Sequence, residues 1–304
     1  AGGLGATVLG RHEEAGPLVW LAFDVTGERL AQALHRAGRP VRYAYVPRPW
    51  PLHQYQTLFA AVPGSAEMAS AGRPFTVQTL RDLRDRGIGL ATISLHAGLS
   101  TYGDPATDRR YVPAEPYLVP EATAAAVAAC RAAGGRVVAI GTTVVRALET
   151  AAAGDGVRPG AGVTRLRIVP GHRLAAVDGL LTGLHEPEAS HLDLLGAFLD
   201  RPALDRAYAA ALGSGYLWHE FGDVCLVIGP EHQEVRDYYE RTAPPRHAAA
   251  HRVAGEHRPR KRLVDRTIQQ RHEVHLAARV LQILSNPVEN NDRVVQRVSH
   301  HGEH

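Results

Sequence analysis

The sequence GGRVVAIGTTVVRALE, at residues 134–149, predicts a buried strand, a tight turn and a helix. Its apolar run RVVAI is short and β-branched, as is typical of a strand inside a parallel sheet. Gly141 allows the backbone to turn sharply, and Thr142 or Thr143 is then placed to cap the helix. Such a turn leaves backbone N–H groups and two hydroxyls at the carboxyl end of a strand. Open α/β sheets bind ligands there, and a helix N-terminus favours anions.

Arg146, one turn into that helix, can reach the same ligand. The alternative interpretation is an ordinary capped turn that binds nothing.

Strand-like and helix-like segments alternate along the rest of the chain. We therefore expect an α/β fold with a mostly parallel sheet flanked by helices. The predicted strands are 17–25, 41–46, 88–95, 136–140, 163–169 and 224–228, and the predicted helices are 29–36, 77–86, 121–133, 190–199 and 203–212. Residues 111–117 are predicted to be a proline-punctuated loop.

The net charge of the chain lies in its last quarter. The formal charge is +3, and residues 230–304 account for it with 13 basic and 10 acidic residues. The first 229 residues hold 21 charges of each sign, which argues against a protein that grips nucleic acid through bulk charge. Residues 230–304 also hold nine of the 17 histidines, so we expect a basic, loosely ordered tail with one helix, 274–284.

Several classes of protein are disfavoured. No apolar run is long enough to span a membrane and no signal peptide is recognisable, so we expect a cytoplasmic protein without a membrane partner. Cys130 and Cys225 lie in apolar segments and are expected to be reduced thiols. His272 and His275 are three residues apart instead of the four of a zinc-protease motif, so we expect no metal. A nicotinamide-dependent oxidoreductase is disfavoured because no glycine fingerprint follows a strand.

Two histidines follow apolar runs at positions where a ligand could bind. His96 follows the strand 88–95, and His185 lies near the end of the run VDGLLTGLHEP at residues 177–187. A lone histidine after a strand is more often a hydrogen-bonded structural residue than a catalyst. The place of His96 at a carboxyl end strengthens the catalytic interpretation.

Four segments together resemble the S-adenosylmethionine:tRNA ribosyltransferase-isomerase family of queuosine biosynthesis. They are YQT at 55–57 with SAGRPFT at 70–76, LHAGLST at 95–101, the stretch 134–149, and VDGLLT at 177–182 continuing through His185 to residue 198. The dipeptide at 222–223 also fits. The resemblance implies transfer and isomerisation of the ribosyl part of S-adenosylmethionine onto 7-aminomethyl-7-deazaguanine in tRNA. The product is epoxyqueuosine in the anticodon loop, and adenine and methionine are released.

The resemblance also implies a domain organisation and a set of partners. Residues 1–47 would be the end of an inserted small β-barrel domain, residues 48–229 the α/β catalytic domain, and residues 230–304 a tail without a counterpart. S-adenosylmethionine would be a co-substrate, no metal would take part, and the enzyme would act on tRNA as a monomer.

The reaction needs a base for the acidified C5′ hydrogens beside the sulfonium, an acid for adenine, and donors for the sugar oxygens. The candidates for proton transfer are His96, His185, Glu115 and Asp178. The candidates for substrate binding are Tyr55, Gln56, Gly72, Phe75, Thr76, Gly98, Gly141, Thr142, Thr143, Arg146, Thr182 and Asp223. Among these, Tyr55 and Phe75 could stack on a base, and Arg146 with the two threonines could hold a carboxylate or phosphate.

The sequence departs from the family pattern at three places. Arg73-Pro74 replace Leu-His in the loop pattern, Gly183 replaces an asparagine, and the N-terminal segment of the family is not found. The alternative function is therefore a diverged relative that binds a nucleoside or RNA without catalysis.

Overall fold

The structure, a computed structural model, describes residues 4–60, 64–154, 156–186, 189–229 and 280–285. Its strands are β1 (Ala6–Arg11), β2 (Val19–Phe23), β3 (Gly89–Leu95), β4 (Glu115–Val119), β5 (Arg136–Ile140), β6 (Ala152–Ala153), β7 (Gly156–Val157), β8 (Gly160–Thr164), β9 (Gly179–Gly183), β10 (Val224–Ile228) and β11 (Val280–Ser285). Its α-helices are α1 (Gly27–Ala37), α2 (Val77–Asp85), α3 (Pro105–Arg110), α4 (Glu121–Ala132), α5 (Thr142–Ala151), α6 (His191–Leu195) and α7 (Arg201–Gly213).

Seven strands form the main sheet in the order β10-β9-β5-β11-β3-β4-β8. The central pairs β9–β5, β5–β11 and β11–β3 are parallel. The outer pairs β10–β9, β3–β4 and β4–β8 are antiparallel. The α/β class is confirmed, but the expectation of a mostly parallel sheet was wrong because strands at both flanks run back along their neighbours.

The core lies around β5 and the two helices beside it. β5 is buried from Val137 to Ile140, as expected for an apolar strand that α4 and α5 contact. The apolar stripe of α5 includes Val144, Val145 and Leu148, all fully buried. Leu195, at the end of α6, and Phe198, just after it, join the same cluster. The carboxyl end of β5 is therefore packed within buried apolar side chains.

Four predicted elements differ from the structure. The strand predicted at 163–169 is observed at Gly160–Thr164, because its pairing with β4 begins earlier and ends at Thr164. Residues 41–46 were predicted to be a strand but contain turns, because Tyr43 and Tyr45 are drawn into contacts with His219. The predicted loop 111–117 contains the first residues of β4, whose prolines lie before and within a strand at the flank of the parallel core. The predicted helix 274–284 was wrong for its last residues, since β11 pairs with β3 and β5 there.

The N-terminal residues form a small sheet of their own, and its hairpin loop contacts Tyr111 and Arg165. β1 and β2 pair as an antiparallel hairpin, and α1 follows it. Whether residues 1–47 belong to a barrel stays a prediction, as does the division of the chain at 47 and 229. Among the described residues, no helix has the length and apolar character needed to cross a membrane.

Candidate functional site

A cavity of about 100 Å³ lies at the edge of the sheet where β3 and β5 end. Residues 97–102 continue from β3 into its wall, and the first turn of α5 follows directly from β5. β4 runs antiparallel to β3, so its first residue, Glu115, reaches the same edge. Polar and charged side chains in this wall include Ser100, Glu115, Thr142, Thr143, Arg146 and His191.

Gly141 forms the turn between β5 and α5. Its φ of +100° lies in a region that residues with a Cβ rarely adopt, and its N–H donates to Leu181 O at 2.9 Å. Gly141 is itself the N-cap, so the prediction that Thr142 or Thr143 caps the helix was wrong. Within the described chain, neither threonine hydroxyl makes a hydrogen bond. Both therefore stay available in the cavity wall beside the unpaired N–H groups of the first turn.

Arg146 and Glu115 form a partly enclosed ion pair in the wall. Arg146 Nη1 lies 2.5 Å from Glu115 Oε2, with side-chain exposures of 15% and 6%, and Arg146 Nε donates to Leu166 O at 2.8 Å. The other terminal nitrogen, Nη2, is buried and has no partner among the described residues. The guanidinium is thus fixed at two nitrogens and has donor capacity left for a ligand.

Glu115 also accepts the Gly98 N–H at 2.9 Å. Burial raises the pKa of the Glu115 carboxyl, and Arg146 and the Gly98 N–H oppose that rise. Gly98 in turn lies close to Pro113, which a Cβ at position 98 would meet at 3.0 Å. Gly98 and Glu115, both predicted site residues, are therefore brought together and shape the wall around Arg146.

Three histidines pack against one another behind the cavity. His185 and His191 stack with ring centroids 4.2 Å apart, and His219 lies 4.9 Å from His185. His191 lines the cavity. Burial is the main cause that lowers the pKa of His191 and of His219 to about 4 and the pKa of His185 well below 6.5. All three rings are therefore neutral at pH 7.

Hydrogen bonds orient this group. His185 Nε2 lies 3.0 Å from Thr182 Oγ1, and Tyr208 OH accepts the His185 backbone N–H at 3.1 Å. His219 Nδ1 lies 2.9 Å from Tyr45 OH. His185 Nδ1 is buried and has no partner in the described part of the chain. Thr182 and His185 thus form a predicted pair that the structure brings together, but they stand behind His191 and do not line the cavity.

His96 lies outside the cavity wall. Its backbone N–H donates to Pro116 O at 3.0 Å, and its ring is covered by Gly64, where a Cβ would stand 2.4 Å from His96 Nδ1. That nitrogen is buried without a partner among the described residues. Its catalytic role stays a prediction.

Asp178 lies at the opposite edge of the sheet. It precedes β9, and its carboxylate accepts the N–H of Val137 at 2.7 Å near the start of the parallel strand β5. Arg131 lies 3.8 Å from its other oxygen. These strands run about 15 Å between their two ends, so Asp178 is not brought together with Arg146.

The predicted residues of 55–57 and 70–76 do not line the cavity. Phe75 is buried against Ile140 and the ring of Phe59, and Tyr55 is 7% exposed and packs edge-on against Phe221. Neither ring presents a free face to a base in this structure. Thr76 caps α2, as predicted, by accepting the Thr79 N–H at 3.0 Å.

The remaining predicted positions have local roles. Gln56 is exposed, Gly72 is buried where a Cβ would meet the Phe59 ring at 3.0 Å, and Asp223 closes a turn by accepting the Leu217 N–H at 2.8 Å.

A second polar network, around Glu67, was not predicted from the sequence. Ser100 donates its N–H and its hydroxyl to the two carboxylate oxygens of Glu67 at 2.7 and 2.6 Å. Tyr43 OH donates to the same carboxylate at 3.1 Å. Because Ser100 lines the cavity, Glu67 fixes that part of its wall.

Gly183 allows β9 to pass close to His219. A Cβ at position 183 would stand 2.2 Å from His219 Cβ and 2.7 Å from its Cα. We expect Gly183→Ala to lower the free energy of unfolding by about 1–3 kcal/mol, because backbone must move to relieve the overlap. Urea unfolding measures this.

Gly213→Ala is the matched control for Gly183→Ala. Gly213 ends α7, and a Cβ there would meet nothing within 4 Å. We expect that variant to be neutral or slightly more stable, because alanine favours the helix. Equal stability of the two variants would contradict the close approach at position 183.

Comparisons with known proteins show the family to which the chain belongs. The sequence profile of the family described as "Queuosine biosynthesis protein" matches residues 4–227. The chain belongs to this family. A queuosine biosynthesis relative, the S-adenosylmethionine:tRNA ribosyltransferase-isomerase of Acidiphilium cryptum, is 40% identical over 236 residues, which cover 75% of this chain and 68% of that protein. The protein of the same name from Trichormus variabilis is 39% identical over 243 residues, 77% of this chain and 58% of that protein.

A solved structure also matches. It is an S-adenosylmethionine tRNA ribosyltransferase from Thermotoga maritima, 27% identical, with a TM-score of 0.44 over 74% of this chain and 62% of that one. The chain therefore spans less than two thirds of the length of two of these three queuosine biosynthesis proteins.

The main residue that sequence reasoning missed in the cavity is His191. It lies six residues after His185, within the fourth segment on which the family resemblance was based. The signal that could have found it is the dipeptide Ser190-His191 at the predicted start of a helix. Within the described residues, no group of three or more His, Cys, Asp or Glu side chains is arranged to hold a metal ion.

Proposed function

We propose that this chain transfers and isomerises the ribosyl part of S-adenosylmethionine onto 7-aminomethyl-7-deazaguanine in tRNA, giving epoxyqueuosine in the anticodon loop. The observation that carries the proposal is that the family match, residues 4–227, includes every residue that lines the cavity. The relatives that share this region bear the name of that activity. The proposal includes action as a monomer in the cytoplasm, with residues 1–47 as part of a small barrel domain.

The cavity suits the carboxylate end of S-adenosylmethionine. Arg146 Nη2, the hydroxyls of Thr142 and Thr143, and the N-terminus of α5 all offer donors or positive potential. Typical small-molecule sites enclose at least about 300 Å³, so a cavity of about 100 Å³ holds one part of the co-substrate. We assign the methionine carboxylate to Arg146 and the remainder to the cavity mouth.

His191 is the group best placed to move protons. The sulfonium acidifies the C5′ hydrogens, and a neutral imidazole in the wall can accept one of them. The resulting imidazolium can then return that proton to the departing adenine. Methionine then leaves as its thioether when the sugar is transferred to the base. In this assignment His185 positions His191, and Glu115 positions Arg146.

Adenine release tests the function directly. We expect the chain, incubated with S-adenosylmethionine and tRNA carrying 7-aminomethyl-7-deazaguanine, to release adenine only when both are present. Thr143→Val removes one donor to a charged group at nearly constant volume, so we expect kcat/KM for S-adenosylmethionine to fall about tenfold.

Thr7→Val, on β1 and far in sequence from the cavity, is the matched control and should turn over like the unmodified chain. No adenine release from a folded chain that still binds the tRNA would instead establish the non-catalytic RNA-binding alternative.

A further inference from the structure

A cluster of aromatic rings and arginines lies outside the cavity, and the proposed chemistry does not use it. The Arg48 guanidinium carbon lies 4.0 Å from the centre of the Trp50 ring, and Trp50 lies 5.7 Å from Phe221. The Arg73 guanidinium carbon lies 4.3 Å from the centre of the Phe221 ring. We call Arg42, Arg48, Trp50, Arg73 and Phe221 the arginine–tryptophan patch.

Two arginines of the patch, Arg42 and Arg48, belong to a basic stretch of the sequence. Between Glu28 and Glu67 the sequence holds five arginines and no acidic residue. Within the described residues, these five arginines form no salt bridge, and all are exposed. They are Arg29, Arg36, Arg39, Arg42 and Arg48.

Glu220 is the acidic side chain on which the arginines of the patch act. The positive charges of Arg42 and Arg73 both lower the pKa of Glu220, against the effect of burial. Arg73 Nη1 also donates to the backbone oxygen of Glu220 at 3.5 Å. The carboxylate is buried, accepts the Tyr43 N–H at 3.2 Å, and has a pKa raised by burial. Glu220 is therefore a buried acidic neighbour of the patch.

The patch and the cavity share one short segment of chain. Phe221 belongs to the patch, and His219, two residues earlier, contacts His185 behind the cavity wall. The Tyr43 ring contacts His219, and the Tyr43 backbone N–H donates to the Glu220 carboxylate at 3.2 Å. Residues 219–221 therefore connect the patch with the histidines behind the cavity wall.

We propose that the arginine–tryptophan patch binds unpaired nucleotides of an RNA loop, with a base stacked on the exposed Arg48 guanidinium and phosphates held by Arg42 and Arg73. Single-stranded RNA is recognised by stacking on aromatic rings and guanidinium planes, and arginine suits both stacking and phosphate binding. Trp50 holds the Arg48 plane in place from beneath. This inference rests on the proposed tRNA-modifying function, because it supplies the surface on which the loop around the modified base is seated.

Binding of an anticodon stem-loop RNA to the full chain tests the patch. We expect Arg48→Ala and Trp50→Ala each to weaken binding about tenfold or more. Arg48→Lys keeps the charge but loses the planar surface. It should therefore weaken binding while leaving the salt dependence nearly unchanged, whereas Arg48→Ala should reduce the slope of log K against log salt by about one.

Arg206→Ala and Trp20→Ala are the matched controls, since both side chains are exposed and lie outside the patch. Both should bind as the unmodified chain does. A blunt RNA duplex of the same length, which offers no unpaired base, should lose little affinity in Trp50→Ala.

Two results would overturn the proposal. The first is that the Arg48 and Trp50 variants bind the stem-loop as tightly as the unmodified chain. The second is that they lose equal affinity for the stem-loop and the duplex, which would show that the patch binds RNA through bulk charge alone. The patch and the proposed function can fail separately. If the unmodified chain releases adenine and the variants still bind the loop, the patch proposal is wrong. If the variants lose loop binding but the unmodified chain releases no adenine, the proposed catalytic function is wrong.

Discussion

Replacing Arg146 by methionine is expected to lower the free energy of unfolding by about 3–5 kcal/mol, because Glu115 then keeps a buried charge without its cation. The loss should shrink as the pH falls. Burial raises the pKa of Glu115, and removing Arg146 takes away the main opposing cause. A carboxyl whose folded pKa is raised contributes stability below its unfolded pKa, near 4.5, and loses that contribution as the pH rises through the folded pKa. Urea unfolding between pH 4 and 8 measures both effects.

Two further variants control this experiment. Arg201→Met removes an exposed ion pair with Asp205, and we expect a loss of no more than about 0.5 kcal/mol. Glu115→Gln combined with Arg146→Met removes both buried charges and should recover much of the stability lost in the single variant. A double variant less stable than the single one would show that Arg146 acts through packing and not through the ion pair.

Acidification from pH 6.5 to pH 4 is expected to destabilise the chain through its histidine group. His191 and His219 have folded pKa values of about 4, below the ordinary value of 6.5. The unfolded chain therefore binds more protons in this range, and stability present above pH 6.5 is lost as the pH falls toward 4. A shift of this size corresponds to about 3 kcal/mol for each histidine, and the two contributions are coupled because the charge of one acts on the other.

His191→Gln isolates one share of that acid sensitivity. The variant cannot gain a charge at position 191, so its free energy of unfolding should fall less between pH 6.5 and pH 4 than that of the unmodified chain. His53→Gln alters an exposed histidine outside the group and should leave the pH dependence unchanged. Identical pH profiles for the unmodified chain and His191→Gln would show that His191 is accessible to protons in the folded state.

The sequence predicted the β5–α5 unit well because its signals are local. A β-branched run followed by glycine and two threonines leaves few alternatives, and the strand bounds 136–140 are those of the structure. The sheet order was less predictable, because strand direction depends on partners far along the chain. β4 carries prolines that indicate a loop, and β11 has an apolar pattern equally compatible with a helix.

The candidate site was predictable only where a residue follows a strand directly. Thr142, Thr143 and Arg146 line the cavity as the turn suggested, and Glu115 joins them through the pairing of β4 with β3. Asp178 was expected beside the ligand but lies at the opposite edge of the sheet. An apolar run has two ends, and its composition does not say which end faces the ligand. His191 and Glu67 depend on tertiary packing of loops, which no local pattern encodes.

The close approach of Gly183 to His219 limits which side chains position 183 can carry. The family pattern carries asparagine at this position, and an asparagine Cβ would overlap His219 as this chain folds. Glycine is compatible with either path of the segment that carries His219, whereas asparagine is compatible only with a more distant path. Placing asparagine at position 183 of this chain would therefore require the segment that carries His219 to move away from β9.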